Sequence, residues 1–304
     1  MAQGPLQGIL PWQADFIATH RLPPEYVVQI ETVFSDRVAQ DALHRIGADG
    51  PNLLGIYGAQ GSGKSTLAAY LAKRHESVSF GCCAVLSIDD FYLTKAQRQQ
   101  LALEVHPLLR TRGVPGTHDT ALLKSTLDRL AHFTGPVSIP RFDKLADDRV
   151  PETQFDTVTS APSLVILEGW CVGIPPQDSA DLTEPCNNLE RIDDSAGDWR
   201  QFVNTSLERD YLPIWGQLDE LWALLAPGFE VVNDWRLEQE VRLGAQRAQA
   251  IMTPEEVARF VQHYERLTRS SLNSMPNLAD LCLWLDPQRA ITEVTEGKRR
   301  FYEC

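Results

Sequence analysis

The chain has 304 residues, 43% of them hydrophobic and 23% charged, with a formal net charge of -13. This length is enough for one large α/β domain or two small ones around a hydrophobic core. A nucleic-acid groove and an anionic membrane surface both attract clustered Lys and Arg, so the acidic balance argues against either partner.

The sequence shows neither a membrane-spanning nor a secretory pattern. No apolar run approaches the roughly 18 residues that a spanning helix needs, and residues 1–6 lack a basic cluster followed by an apolar core. The six cysteines form no CxxC pair and no metal-type spacing. We therefore expect buried free thiols and a reducing, cytoplasmic location.

Residues 1–50 are predicted to form a helical lead-in to a main domain at 51–304. Apolar residues from Val27 to Val38 recur at helical spacing. Gly and Pro residues at 47–51 then break the pattern.

Four short apolar runs have the length and flanks of buried strands: 53–57, 83–88, 163–167 and 281–285. Helical patterns lie between or beside them, at 64–74, 199–225, 236–250 and 254–273. This alternation predicts an α/β fold with a mostly parallel central sheet that helices cover on both faces. Residues 177–198, rich in Asp and Glu, are predicted to be a solvated surface insertion.

A glycine-rich segment lies between the first predicted strand and the helix that follows it. It fits the pattern G-x-x-x-x-G-K-[ST] and comprises Gly58, Ala59, Gln60, Gly61, Ser62, Gly63, Lys64 and Ser65, with Thr66 next. Glycines let backbone N–H groups surround phosphate oxygens, and the N-terminus of the helix adds partial positive charge. Lys64 would reach the β- and γ-phosphates, and Ser65 would bind Mg²⁺. The segment predicts the three-layer α/β/α fold of P-loop NTPases and binding of ATP with Mg²⁺.

Acidic residues follow the other predicted strands. Asp89 and Asp90 come after the second run, Glu168 after the third and Asp286 after the fourth. Ligands bind beyond the carboxyl ends of parallel strands, so these acids are expected near the phosphates. A kinase acting on an alcohol needs a carboxylate near the attacking hydroxyl, and usually another acid for Mg²⁺. Because an Asp at a strand end is often a helix cap, we assign that role to Asp90 and catalytic roles to Asp89 and Glu168.

Five blocks of the sequence are similar to the D-glycerate 3-kinase family, which is grouped with phosphoribulokinase, uridine kinase and pantothenate kinase. They are the P-loop segment, SIDDFYL at 87–93, RTRGVPGTHD at 110–119, PRFDK at 140–144 and EGW at 168–170. The resemblance spans about residues 50–290. SIDDFYL, together with RGxxGTHD and EGW, is far more specific than the P-loop alone.

The resemblance implies transfer of the ATP γ-phosphate to D-glycerate, giving 3-phosphoglycerate, with Mg²⁺. It places Asp89 as the candidate base, acting with Lys64 and Glu168, and it pairs Glu168 with Ser65 at the metal. It makes these residues candidates for the acceptor pocket: Asp89, Tyr92, Arg112, His118, Asp119, Arg141 and Trp170. An Arg can bind a carboxylate with two hydrogen bonds, in agreement with a small hydroxy acid as acceptor. Arg236 either meets the ATP phosphates or lies on a solvated helix face.

Structural roles stay open for several candidates of the acceptor pocket. Arg112 and Arg141 also suit surface ion pairs, and His118 suits a structural hydrogen bond. Tyr92 and Trp170 also suit aromatic core packing.

One block departs from the family pattern. Family members carry a longer, Gly-containing stretch after Phe-Asp-Lys, whereas residues 142–149 read FDKLADDR. Two alternatives to a glycerate kinase therefore remain. One is a P-loop kinase of another small alcohol, such as a nucleoside, pantothenate or a sugar acid, and the other is a P-loop ATPase or regulator without transfer. ATP and a small molecule are the expected partners, and no obligate protein partner is evident.

Overall fold

The structure is a computed structural model that describes residues 8–47, 52–78, 81–247 and 252–298, without the side chains of 242–247. Residues 1–7 and 48–50 of the predicted lead-in lie outside the described residues, and so does the predicted domain boundary after residue 50. The last three residues of the helix predicted at 236–250 also lie outside them.

Ten strands lie in the described ranges: β1 Asn52–Gly58, β2 Cys82–Ser87, β3 Val137–Ile139, β4 Phe142–Asp143, β5 Asp148–Arg149, β6 Asp156–Val158, β7 Pro162–Gly169, β8 Glu220–Leu225, β9 Leu281–Leu285 and β10 Ile291–Glu296. Six of them form one sheet in the order β10-β9-β8-β1-β7-β2, which is parallel except for the edge strand β10. Two small antiparallel pairs, β3 with β6 and β4 with β5, lie outside this sheet. The predicted α/β fold with a mostly parallel sheet is confirmed.

The described helices are α1 Pro11–His20, α2 Pro24–Phe34, α3 Arg37–Gly47, α4 Lys64–Ser77, α5 Lys95–Glu104, α6 Thr120–Ala131, α7 Asn188–Asp193, α8 Asp198–Ser206, α9 Leu212–Trp215, α10 Glu230–Arg247 and α11 Pro254–Leu278. They cover both faces of the sheet. Leu54 and Ile56 of β1 belong to a cluster with α1 to α4, whereas Tyr57 belongs to a cluster with α6 and α8. A strand buried on both faces has a continuous apolar run, which explains why β1 is visible in the sequence.

The prediction of one long helix over 199–225 is wrong. That stretch contains α8, a π-helical turn at Leu207–Tyr211, α9 and then β8, which lies between β1 and β9 in the sheet. Every residue of β8 is buried. Periodicity cannot separate strand from helix in a short apolar run buried all round, so the chain gives no local sign of this strand.

The N-terminal helices pack on the P-loop helix α4, as part of the same core. The Tyr70 ring of α4 lies 5.2 Å from the rings of Trp12 and Phe16. Its hydroxyl donates to Glu31 at 2.6 Å and accepts from Gln13 at 2.8 Å. These bonds satisfy a buried polar group and connect three helices. The helices α1, α2 and α3 make up most of the described residues before residue 48.

The acidic segment 177–198 is not uniformly solvated. Glu190 is fully buried, with Arg266 Nη2 2.6 Å from its Oε2. Asp194 is 2% exposed and lies 2.8 Å from Arg200 Nη1. Buried carboxylates need such partners. The expectation of a solvated insertion is therefore wrong for these two side chains, which attach the segment to α8 and α11.

No described helix combines the length and the apolar character needed to cross a membrane. The cysteines in the described ranges are free thiols: Cys171 and Cys282 are buried, Cys82 and Cys83 half-buried, and Cys186 exposed. The expected burial is therefore wrong for Cys186. The sixth cysteine lies outside the described residues.

Candidate active site

The glycine-rich segment forms a tight loop between β1, which ends at Gly58, and α4, which begins at Lys64. Gly61 and Gly63 have φ angles of 80° and 91°, in the left-handed region that favours glycine. A Cβ atom at Gly61 would also lie 2.6 Å from the Cβ of Trp235. The loop therefore brings backbone and the N-terminus of α4 together in a shape suited to phosphate.

Ser65 and Glu168 meet beside this loop. The Ser65 hydroxyl donates to Glu168 Oε1 at 2.8 Å. Glu168 is 4% exposed, and its Oε2 is buried without a hydrogen-bond partner among the described residues. Such an oxygen calls for a further partner, and Mg²⁺ usually takes one or two protein carboxylates together with phosphate oxygens and water. Ser65 and Glu168 thus fit an ion that arrives with the nucleotide.

Asp89 lies on the 3₁₀ turn Ile88–Phe91 that follows β2. The Tyr92 hydroxyl donates to its Oδ1 at 2.8 Å, and Lys144 Nζ lies 2.5 Å from its Oδ2. Burial acts to raise the pKa of this carboxyl. The charges of Lys144 and Lys64 and the two hydrogen bonds outweigh burial and hold the pKa well below its usual value. Asp89 is therefore ionised at neutral pH, but it is a weak base while Lys144 is its partner.

A cavity of about 440 Å³ joins the P-loop to these acids, a volume typical of small-molecule sites. Its lining brings together many of the predicted site residues: Gln60, Gly61, Lys64, Ser65, Asp89, Tyr92, Arg112, Glu168, Trp170 and Arg236. Residues of the P-loop, two carboxylates and two arginines thus meet in one place, although they come from distant parts of the chain.

Arg112 lines this cavity with its guanidinium already paired. It donates to the Asp147 carboxylate and to the carbonyl of Lys144, and it lies 5.5 Å from the centre of the Phe142 ring. Asp147 has a φ of 56°, in the left-handed region that Asp adopts more readily than most residues. The segment 142–149 therefore makes its turn without glycine.

Trp170 both lines the cavity and holds the segment 110–119. Its Nε1 donates to the Gly113 carbonyl at 2.9 Å, and its ring meets Tyr264 edge-on at 4.8 Å. Gly113 has a φ of 135°, and a Cβ atom there would collide with the Tyr264 hydroxyl. Any larger residue at this position would displace the wall of the cavity.

His118 and Asp119 do not line the cavity. The His118 ring is buried, stacks on Tyr92 at 4.6 Å and has its Nδ1 2.7 Å from the Tyr211 hydroxyl. Burial lowers the pKa of His118 to about 4, so it is neutral at physiological pH. Asp119 is the N-cap of α6 and lies 3.1 Å from Arg149 Nη2. In this structure His118 packs against Tyr92 of the cavity lining, and Asp119 caps a helix outside the lining.

Arg141 also lies outside the cavity lining. Its Nη1 is 2.6 Å from Asp90 Oδ2 and its Nη2 is 2.6 Å from Asp156 Oδ2. Asp90 also accepts the Phe142 N–H at 3.1 Å. The expected capping role of Asp90 is therefore wrong, because its carboxylate instead fastens the turn that carries Asp89 to the pair β4 and β5.

Arg236, on α10, lines the cavity but is paired with Glu240. Its guanidinium lies 5.3 Å from the centre of the Phe260 ring. It is therefore not a solvated helix residue, and its Nη1 is already paired with Glu240.

Sequence reasoning missed Lys144, Gln239, Phe260 and Tyr264, which also line the cavity. Lys144 stands inside the PRFDK block, although its contact with Asp89 spans 55 residues. Phe260 and Tyr264 are four residues apart on α11, a spacing that also describes ordinary core packing.

A second cavity of about 400 Å³ adjoins the P-loop at Gly61, Ser62, Gly63 and Thr66. Its other walls include Leu22, Tyr26 and Ile30 from the N-terminal segment, and Leu285, Arg289 and Ile291 around the turn after β9. Gly58 and Ala59, at the start of the P-loop segment, line neither cavity.

The turn after β9 is fixed to the P-loop. Arg289 Nε donates to the Gly61 carbonyl at 2.7 Å. Asp286 accepts the N–H groups of Gln288 and Ala290, both at 2.8 Å. Asp286 therefore shapes this turn.

No family model matches the chain. Two curated proteins are similar to it in sequence. An uncharacterized kinase of Schizosaccharomyces pombe is 39% identical over 228 residues, covering 70% of this chain and 78% of that protein. A probable ATP-dependent kinase of Saccharomyces cerevisiae is 29% identical over 265 residues, covering 79% of this chain and 87% of that protein.

A solved structure shares the fold. It is the D-glycerate 3-kinase of Cryptococcus neoformans var. grubii, with a TM-score of 0.70 and 24% identity, covering 86% of this chain and 99% of that one.

Proposed function

Because the chain belongs to the same kinase family as its 39% identical relative from Schizosaccharomyces pombe, we propose that it phosphorylates D-glycerate to 3-phosphoglycerate. The chain is an ATP-dependent kinase, and the proposal adds the identity of its acceptor. The observation that carries it is the placement of Asp89 and Arg112 in one cavity with Lys64 and Ser65.

We assign the ATP triphosphate to the loop from Gly58 to Thr66 and the nucleoside to the second cavity. The two cavities share Gly61, so a nucleotide on the loop extends naturally from one into the other. The second cavity combines apolar walls with a few polar groups, as small-molecule sites usually do. On this assignment α2, in the N-terminal segment, forms part of the nucleotide site.

Mg²⁺ would be held by Ser65 and Glu168, together with phosphate oxygens. When bound, the ion neutralises charge that develops on the phosphates. The buried, unpartnered Oε2 of Glu168 supports this assignment. Lys64, at the start of α4, would contact the β- and γ-phosphates.

In the proposed reaction the acceptor hydroxyl oxygen attacks the γ-phosphorus. A bond forms between them as the bond from the γ-phosphorus to the β–γ bridging oxygen breaks, and ADP leaves. The hydroxyl proton passes to Asp89, the carboxylate in the cavity that holds Lys64. Tyr92 orients this carboxylate through its hydrogen bond at 2.8 Å. Arg112 lines the same cavity and is held there by Asp147.

A kinase for another small hydroxy acid is the second candidate. It is favoured by the segment 142–149, which lacks glycine and in which Asp147 adopts a left-handed conformation and already pairs with Arg112. That arrangement changes the acceptor side of the cavity and leaves the phosphate side intact.

The test is ADP formation by the full chain with ATP and Mg²⁺ against D-glycerate, L-glycerate, glycerol, pantothenate and uridine. D-Glycerate should give the largest kcat/KM. Faster turnover of another alcohol would reject D-glycerate as acceptor, and ADP formation that no acceptor increases would favour an ATPase.

A further inference from the structure

Lys144 is the most exposed ion-pair partner in the cavity. Its Nζ lies 2.5 Å from Asp89 Oδ2, and its side chain is 58% exposed, against 27% for Asp89. The proposed reaction needs Asp89 oxygen to receive a proton, so an ammonium group held against it opposes the chemistry.

The backbone that carries Lys144 is firmly held. Asp147 accepts from Arg112 and lies 2.9 Å from Arg98 Nη2. Arg98 is 1% exposed and also donates to three backbone carbonyls. Asp148 accepts the Lys95 N–H at 3.0 Å. A rigid turn therefore presents one long, flexible cationic side chain to the cavity.

The other cations that line the cavity have other partners. Lys64 belongs to the phosphates, and Arg112 and Arg236 have carboxylate partners, Asp147 and Glu240. Arg112 is also held by the Lys144 carbonyl and lies against the Phe142 ring. Lys144 is the exposed member of its pair, so water reaches its ammonium group and it is the cation of the lining that can most readily change partner.

An anionic acceptor needs such a cation. Its carboxylate would enter a cavity that already contains Asp89 and Glu168, and like charges repel strongly in a partly buried site. The charges of both carboxylates act on Lys144, with that of Asp89 the larger. A single ammonium group within reach of Asp89 can also meet a carboxylate placed beside it.

We propose that Lys144 is the residue that binds the carboxylate of the acceptor, and that this binding draws it off the Asp89 oxygen that takes the hydroxyl proton. The proposal rests on the proposed kinase function and deepens it. It makes Lys144 a specificity residue: the kinase selects short alcohols that carry an anionic group, because only these free Asp89.

The test is the dissociation constant of D-glycerate, measured by calorimetry on the full chain saturated with β,γ-imido-ATP and Mg²⁺. Lys144→Ala should weaken binding about 10- to 100-fold, the loss expected for one charged hydrogen bond. Lys144→Arg should restore most of it. Lys124→Ala is the matched control, because Lys124 has a similar exposed pair with Asp128 at 2.8 Å, and should leave binding unchanged.

A second variant separates binding from folding. In Asp89→Asn the ammonium group loses its partner, so D-glycerate should bind more tightly, and adding Lys144→Ala should remove that gain. If the pair between Lys144 and Asp89 were purely structural, D-glycerate would bind more weakly in Asp89→Asn, in Lys144→Ala and in the double variant. Unchanged binding in Lys144→Ala, or equal loss with Lys144→Arg, overturns the proposal.

If the proposed D-glycerate kinase function is wrong, the calorimetry gives a different result from the one expected if only the role of Lys144 is wrong. If the wild type does not bind D-glycerate, the same calorimetry is run on the acceptor that the activity panel identifies. An anionic acceptor that loses affinity in Lys144→Ala supports the role of Lys144, and a neutral acceptor refutes it.

Discussion

Replacing Asp89 by Asn removes the proposed base with little change of shape. The amide oxygen of Asn can still accept from the Tyr92 hydroxyl, which donates to Asp89 Oδ1 at 2.8 Å. Only the proton-accepting carboxylate and the ion pair with Lys144 are lost. Because Lys144 is 58% exposed, losing that pair should cost about 0–1 kcal/mol of folding free energy.

The expected loss of activity is much larger. A positioned general base contributes roughly 10²- to 10⁴-fold to the rate, which corresponds to about 2.7–5.4 kcal/mol of transition-state stabilisation. The KM for ATP should change little, since the proposed triphosphate contacts lie on the P-loop. A fall in kcat at constant ATP affinity is therefore the signature of a base.

The assay measures kcat and both KM values for Asp89→Asn with ATP, Mg²⁺ and D-glycerate, alongside a thermal melt. Asp128→Asn serves as control, because Asp128 has an exposed pair with Lys124 at 2.8 Å. A kcat for Asp89→Asn within about threefold of wild type would remove Asp89 from the base role, since general bases contribute far more.

Three further predictions concern other parts of the molecule. Tyr26→Ala should raise the KM for ATP about tenfold, which corresponds to the loss of a contact worth about 1.4 kcal/mol. The KM for D-glycerate should not change, because Tyr26 lines the second cavity and not the first, and steady-state kinetics measure both constants. Arg266→Ala should cost about 3–5 kcal/mol in urea unfolding by leaving Glu190 buried and unpaired, and a cost below about 1 kcal/mol would show that the pair is dispensable. Burial lowers the His118 pKa from 6.5 to about 4, so the unfolded chain binds the proton first as pH falls. Stability that is present above pH 6.5 should be lost towards pH 4, by up to about 1.4 kcal/mol per pH unit, and unfolding curves of His118→Gln should show a weaker dependence.

The P-loop side of the cavity follows from the sequence, whereas the side formed by Asp89 and Lys144 depends on contacts between distant segments. The P-loop is local, because glycine conformations and the start of α4 lie within a few residues of one another. Lys144 and Asp89 are 55 residues apart, and no local pattern indicates their contact. The ion pair of Asp90 with Arg141 also joins distant segments, so no local pattern indicates it. The expected helix cap at Asp90 does not form.

Strand β8 marks the limit of periodicity for the fold. Its six residues are all buried, so their hydrophobic pattern fits a buried helix equally well. The parallel pairing with β1 and β9, which fixes it as a strand, is visible only in three dimensions.

The most direct measurement is identification of the product when the wild-type chain is incubated with ATP, Mg²⁺ and D-glycerate. Phosphorus NMR and mass spectrometry should show 3-phosphoglycerate and ADP in equal amounts. ADP that accumulates with inorganic phosphate while D-glycerate is recovered unchanged would contradict the proposed transfer.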